Sequence, residues 1–225
     1  MSIEQTRLLP TAAKRPRGLA HPLLPKIGCL AATRPLGAWN LARTTLIGVP
    51  DDDLPLPPAS EAVTAWAGTG RVVRATEPDV ATWRLPEPQK AALVSCGVPL
   101  IDDLVSAVSF HAEPTMYRLA SADDLDWGYG AAPGTGEVQA WLSDGSTWFV
   151  NSTIIHWLCS LHLVGSWLTS STVIDRWDED EQAEEQALAE LADLLERITA
   201  LDPPAFGDGD HTTHFWPAVL DRWLY

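Results

Sequence analysis

Apolar and polar positions change rhythm several times along this chain, and each rhythm predicts an element. The clearest is DEDEQAEEQALAELADLLERITALD, residues 178–202. Ala187, Leu188, Leu191, Leu194, Leu195, Ile198 and Leu201 recur there at spacings of three and four, the stripe of a long amphipathic helix. Asp178, Glu179, Asp180 and Glu181 stand at its start, where the helix dipole favours negative charge. Pro203-Pro204 stops it. The segment EVQAWLSDGSTWFVN, residues 137–151, alternates instead. Val138, Ala140 and Leu142 share one face and Asp144-Gly145 supplies a turn, so a hairpin is predicted. Asn151 or Ser152 is then placed to cap a helix with Ile154, Ile155, Leu158 and Leu161 along one side.

Upstream, LPEPQKAALVSCGVP predicts a helix opened by Pro86 or Pro88 and closed at Cys96-Gly97. Gly97 suits the left-handed position after the last turn, and Pro99 blocks continuation. SEAVTAWAG predicts a short helix with Ser60 as its cap, and GRVVRATEP and TMYRLAS predict strands. HFWPAVLDRWLY predicts a terminal helix with Pro217 in its first turn. DWGYGAAPGTG, residues 126–136, reads as a glycine-rich loop, and PDDDLPLPPAS, residues 50–60, as a proline-rich one. Short strands in the middle with helices before and after them define an α+β class.

The chain has 225 residues, enough for one large domain that buries roughly 70% of its unfolded surface. Residues 1–44 are rich in Pro, Gly and Ala and lack periodicity, so they are expected to form an irregular arm ahead of a domain spanning 45–225. The N-terminus has no continuous apolar segment and no run of about 18 apolar residues follows, which argues against a secretory signal and a membrane span. Cys29, Cys96 and Cys159 are odd in number and form no C-x-x-C pair, so a disulfide framework or structural zinc is not expected. A cytoplasmic location follows as the expectation. Residues 1–43 carry seven Lys or Arg against Glu4 alone, whereas the remainder carries eight bases against 29 acids. Such a body repels nucleic-acid phosphate and attracts a basic protein.

Candidate chemistry is sparse. His111-Ala112-Glu113 has the H-x-E form of zinc deaminases, but the P-C-x-x-C that completes that site does not follow. The segment 208–214, DGDHTTH, gathers Asp208, Asp210, His211 and His214, and reads equally as a metal-ligating turn or a polar surface loop. Gly128, Gly130, Gly134 and Gly136 lack the spacing of a phosphate loop, and there is no G-x-S-x-G nucleophile elbow. No catalytic residue, cofactor or metal is therefore expected. Eleven tryptophans are present; Trp157 and Trp216 fall on apolar faces and belong in the core. Trp127, beside Asp126, is the expected exposed contact.

Leu93-Val94-Ser95-Cys96-Gly97-Val98-Pro99 resembles the L-x-x-x-G-[LV]-P of the SUKH superfamily of immunity proteins. Tyr117-Arg118-Leu119, Gly136-Glu137-Val138, Phe149-Val150-Asn151-Ser152 and the closing Phe215-Trp216-Pro217-Ala218-Val219-Leu220 are similar too, most of all to the fourth subgroup. The resemblance spans residues 80–225 and continues loosely back to about 45. It implies a non-enzymatic fold with a twisted, largely antiparallel sheet flanked by helices. It also implies a cytoplasmic antitoxin of a bacterial polymorphic toxin system, which binds a nuclease or deaminase toxin. A scaffold or regulatory module with the same fold is the alternative. A basic toxin would be expected to touch Asp123, Asp124, Asp126 and Trp127, or Asp178, Glu179, Asp180 and Glu181.

Overall fold

A computed structural model describes residues 54–122, 127–142, 145–174 and 176–221. Helix α1 (Ser60–Ala67) opens on Ala59 rather than Ser60, one residue earlier than expected. It buries Val63 and Ala67. Strand β1 (Val72–Val73) is followed by a one-turn helix, α2 (Glu77–Val80), that sequence periodicity did not reveal. A capping box makes that turn: the Thr76 amide and hydroxyl both donate to Asp79 Oδ2, at 2.8 and 2.7 Å. Those bonds hold the Asp79 carboxyl below its usual pKa.

Helix α3 (Glu87–Ser95) begins after Pro86 and ends at Cys96, as the proline and glycine punctuation predicted. Gly97 has φ 77°, and a side chain there would bring its first carbon within 2.8 Å of the Val73 carbonyl oxygen. The glycine is what lets strand β2 (Val98–Pro99) lie antiparallel against β1, with Val73 opposite Val98. Around this turn Leu93, Cys96 and Val98 enter the core.

The main sheet is an antiparallel meander of five strands in sequence order. Its members are β3 (Ala107–Ala112), β4 (Tyr117–Ala122), β5 (Trp127–Ala131), β6 (Val138–Leu142) and β7 (Thr147–Asn151). The β6–β7 hairpin and β4 match the sequence reading, and β3 adds an edge strand that it lacked. β5 overturns the expectation of a loop over residues 126–136: the glycines occupy a central strand. Gly128 pairs with Trp141, and a side chain on Gly128 would run into the Trp141 indole. Only the turn after Ala131 is irregular.

Tyr117, Leu119, Tyr129, Ala131, Val138 and Ala140 point to the buried side of the sheet. Helix α4 (Ile154–Ser170) packs there with almost no polar face, burying Ile154, Ile155, Trp157, Leu158, Leu161 and Val164. Its cap is Thr153, whose hydroxyl accepts the His156 amide at 3.2 Å. Asn151 and Ser152, expected at that position, lie two and one residues further back and are engaged elsewhere. Helix α5 (Glu181–Leu201) packs on α4 through Ala187, Leu191, Leu194 and Ile198, the predicted stripe. A short α6 (Pro203–Phe206) starts on the proline pair itself, and α7 (Phe215–Asp221) seats Phe215 and Trp216 in the core. Phe215 meets Tyr129 and Trp216 edge-on, at 5.8 and 5.2 Å between ring centres. No helix among the described residues is long and apolar enough to cross a membrane.

Candidate partner-binding surface

The Asn-Ser step at the end of β7 belongs to the frame that holds the surface. Asp202, 2% exposed at the end of α5, accepts from Asn151 Nδ2 at 2.9 Å. It also accepts from the Ser152 amide at 2.8 Å and the Ser152 hydroxyl at 2.7 Å. Asn151 Oδ1 in turn accepts from the Trp216 indole at 3.1 Å. A buried carboxylate is tolerated because each of its oxygens finds a donor. Asn151 Nδ2 also donates to Ser160 on α4 at 3.2 Å, so one network fastens β7, α4, α5 and α7. A second fastener is Gln89 on α3, which accepts the Ile154 amide at 3.1 Å and donates to the Thr135 carbonyl at 2.8 Å.

Two histidines of α4 are part of this frame. The His156 ring lies 2.8 Å from the Thr153 hydroxyl, and the His162 ring accepts from Trp66 Nε1 at 2.8 Å. Burial lowers the pKa of both, partly opposed at His156 by Asp202 and reinforced at His162 by Arg197. Burial also pushes the thiols of Cys96 and Cys159 up, to about 11 and about 12, which suits inert packing.

The acids at the start of α5 are on the surface. Asp178, Glu179, Asp180 and Glu181 are all exposed. Asp180 is the helix cap, accepting the Ala183 amide at 2.8 Å, and Glu179 lies 3.8 Å from Arg176. Asp180, Glu181, Gln182 and Glu185 line a shallow open depression. Asp123, Asp124 and Asp126 lie outside the described residues. Trp127 lies not in a loop but at the start of β5, half-buried, with its ring centre 5.5 Å from that of Phe215. Strand pairing with Leu142 on one side and Ala122 on the other turns it inward.

The opposite side of the main sheet carries a group that periodicity did not single out. Strand alternation places Arg118, Gln139, Trp141 and Thr147 there, away from the helices. Trp141 stands outside the core cluster and is half-buried against Gly128 and Gly130. The Arg118 guanidinium sits 5.1 Å from the centre of its ring and 3.2 Å from Glu113. The lateral register across four strands brings these residues together. The signal in the sequence was the G-x-G of β5 beside a tryptophan on the next strand.

The candidate chemical groups do not converge. His111 and Glu113 are 3.3 Å apart on an exposed edge, and the same carboxylate is shared with Arg118. His214 pairs with Asp208 at 3.2 Å, while Asp210 accepts from the Thr212 amide and hydroxyl, both at 2.8 Å, which keeps its pKa low. His211 is exposed. Among the described residues no group of three or more His, Cys, Asp or Glu is placed to hold a metal ion.

Sheet, covering helices and buried polar fasteners define an α+β scaffold. The family profile of the SUKH-4 immunity proteins matches residues 58–222, and the chain belongs to that family. As an immunity protein it acts against a cognate toxin by binding it, and proteins of this kind are generally non-enzymatic. No curated protein and no solved structure matches the chain significantly.

Proposed function

We propose that this protein protects the cytoplasm of its own cell by binding a cognate nuclease or deaminase toxin and covering the toxin's active site. The family match over residues 58–222 carries the reading. The charge supports the choice of toxin. Enzymes that act on nucleic acid present basic surfaces to a polyanion, and residues 44–225 carry eight bases against 29 acids. An acidic inhibitor is drawn to such a surface while nucleic acid is kept away.

The acids Asp178, Glu179, Asp180 and Glu181, with Asp123, Asp124, Asp126 and Trp127, are proposed to steer or contact the toxin. For Asp180 and Glu181 a capping and dipole role runs alongside. Co-expression with each neighbouring gene product is the direct test. One neighbour is expected to be toxic alone, to be tolerated when this chain is present, and to co-purify with it. Survival unaffected by this chain for every toxic neighbour overturns the proposal.

A further inference from the structure

Resting on the immunity reading, we infer that the toxin docks on the open face of the five-stranded sheet, centred on Trp141. The first reason is the cost of the arrangement. A glycine inside a strand weakens it by roughly 0.5–1 kcal/mol, yet β5 carries Gly128 and Gly130 where both are buried. What they accommodate is the Trp141 ring and, at Gly130, Met116 beside it: a side chain on Gly128 would overlap the indole, and one on Gly130 would meet Met116 Sδ at 2.6 Å and the indole at 3.0 Å. The indole stands outside the core cluster, so the glycines hold an aromatic surface in place without adding to the core.

The second reason is preorganisation. Arg118 is fixed over the indole at 5.1 Å and tied to Glu113 at 3.2 Å, so neither long side chain must be ordered on binding. Tryptophan and arginine held together at the centre of a surface are the residue types that dominate binding energy. Ser121, Gln139 and Thr147, which pair beside them, are small or uncharged.

The third reason is charge, which selects the occupant. Among its described residues this face carries two carboxylates, Glu113 and Glu137, with one guanidinium, Arg118, and the His111 ring, 3.3 Å from Glu113; Glu137 is held by Gln139 Nε2 at 2.6 Å. A second copy would bring two bodies of eight bases and 29 acids together, which like-charge repulsion opposes. A basic polypeptide fits: an apolar residue laid beside the indole, with Lys or Arg reaching the flanking carboxylates.

The probe is the neighbouring gene product that co-purifies with the full chain, titrated calorimetrically against the unmodified protein and three variants. Trp141→Ala removes the anchor, and Thr147→Arg places a cation on the exposed residue opposite it while leaving the core intact. Glu185→Gln combined with Glu196→Gln alters exposed acids of α5 that lie outside the proposed contacts instead. Trp141→Ala and Thr147→Arg are expected to weaken binding roughly 30-fold or more, and the α5 variant by less than about 3-fold. Thr147→Arg carries the decision if Trp141→Ala fails to fold. Parent-like affinity of Thr147→Arg, or the larger loss in the α5 variant, overturns this surface and leaves the immunity reading standing. A dimer of the unmodified chain that Thr147→Arg abolishes puts a second copy there and also overturns it. If the unmodified chain binds no neighbouring product, the immunity reading falls and takes this occupant with it.

Discussion

At the scale of single residues, Asp202 is the most exacting position in the molecule. Its carboxylate is shared among three donors, two of them from Ser152, fifty positions earlier in the chain. Asp202→Ala removes the acceptor of both Ser152 donors and the nearer acceptor of the Asn151 amide, which keeps only Ser160 Oγ at 3.2 Å, and is expected to cost about 3 kcal/mol. Urea unfolding should show a lower midpoint with an unchanged slope; a midpoint within error of the parent refutes the assignment. The histidines of α4 make a different forecast. Burial depresses their folded pKa below 6.5, so acid binds the unfolded chain more readily than the folded one. Their stabilising effect is complete above that value and is lost as pH falls through the lower folded pKa. The melting temperature should therefore drop between about pH 7 and about pH 5, and H162N, which keeps an acceptor for Trp66 but does not titrate, should flatten part of the drop. A melting temperature that rises on acidification has the wrong sign for this account.

At the scale of elements, caps and close approaches decide where segments begin and bend. Removing the α5 cap with Asp180→Ala should cost about 1 kcal/mol, whereas Glu179→Ala, which breaks only an exposed pair, should be nearly silent. Gly128→Ala should cost about 1–3 kcal/mol and shift tryptophan emission, because the new methyl displaces the Trp141 ring; an unchanged spectrum argues against that contact. Long-period patterns were legible in advance. Leu191, Leu194 and Ile198 announced α5, the Asp144-Gly145 turn announced the β6–β7 hairpin, and Cys96-Gly97 announced the end of α3. What stayed hidden depends on partners remote in sequence. β5 read as a loop since its glycines serve an indole on the next strand. β3 lacks a clean alternation because it is an exposed edge with a bulge between Val108 and His111. Asn151 and Ser152 look like caps locally, but Asp202 claims both. Of the binding surface, the acids were visible as charge, while the Trp141 and Arg118 pairing needed the sheet register.

At the scale of the whole molecule, charge and family together describe a protein built to meet another. With 15 bases and 30 acids, its encounter with the basic toxin proposed above should be steered, so the association rate constant should fall about tenfold or more between roughly 0.05 and 0.5 M salt. Stopped-flow mixing with the toxin measures it, and a rate indifferent to salt removes steering from the mechanism. The frame beneath that surface has its own consequence. The indole that completes the polar network belongs to Trp216, 65 positions from its acceptor Asn151. Neither β7 nor α7 alone can satisfy that pair, so a fragment holding just one of them carries an orphaned polar group. The two ends of the bond therefore melt as one cooperative unit, and loosening either corner of the frame loosens the other.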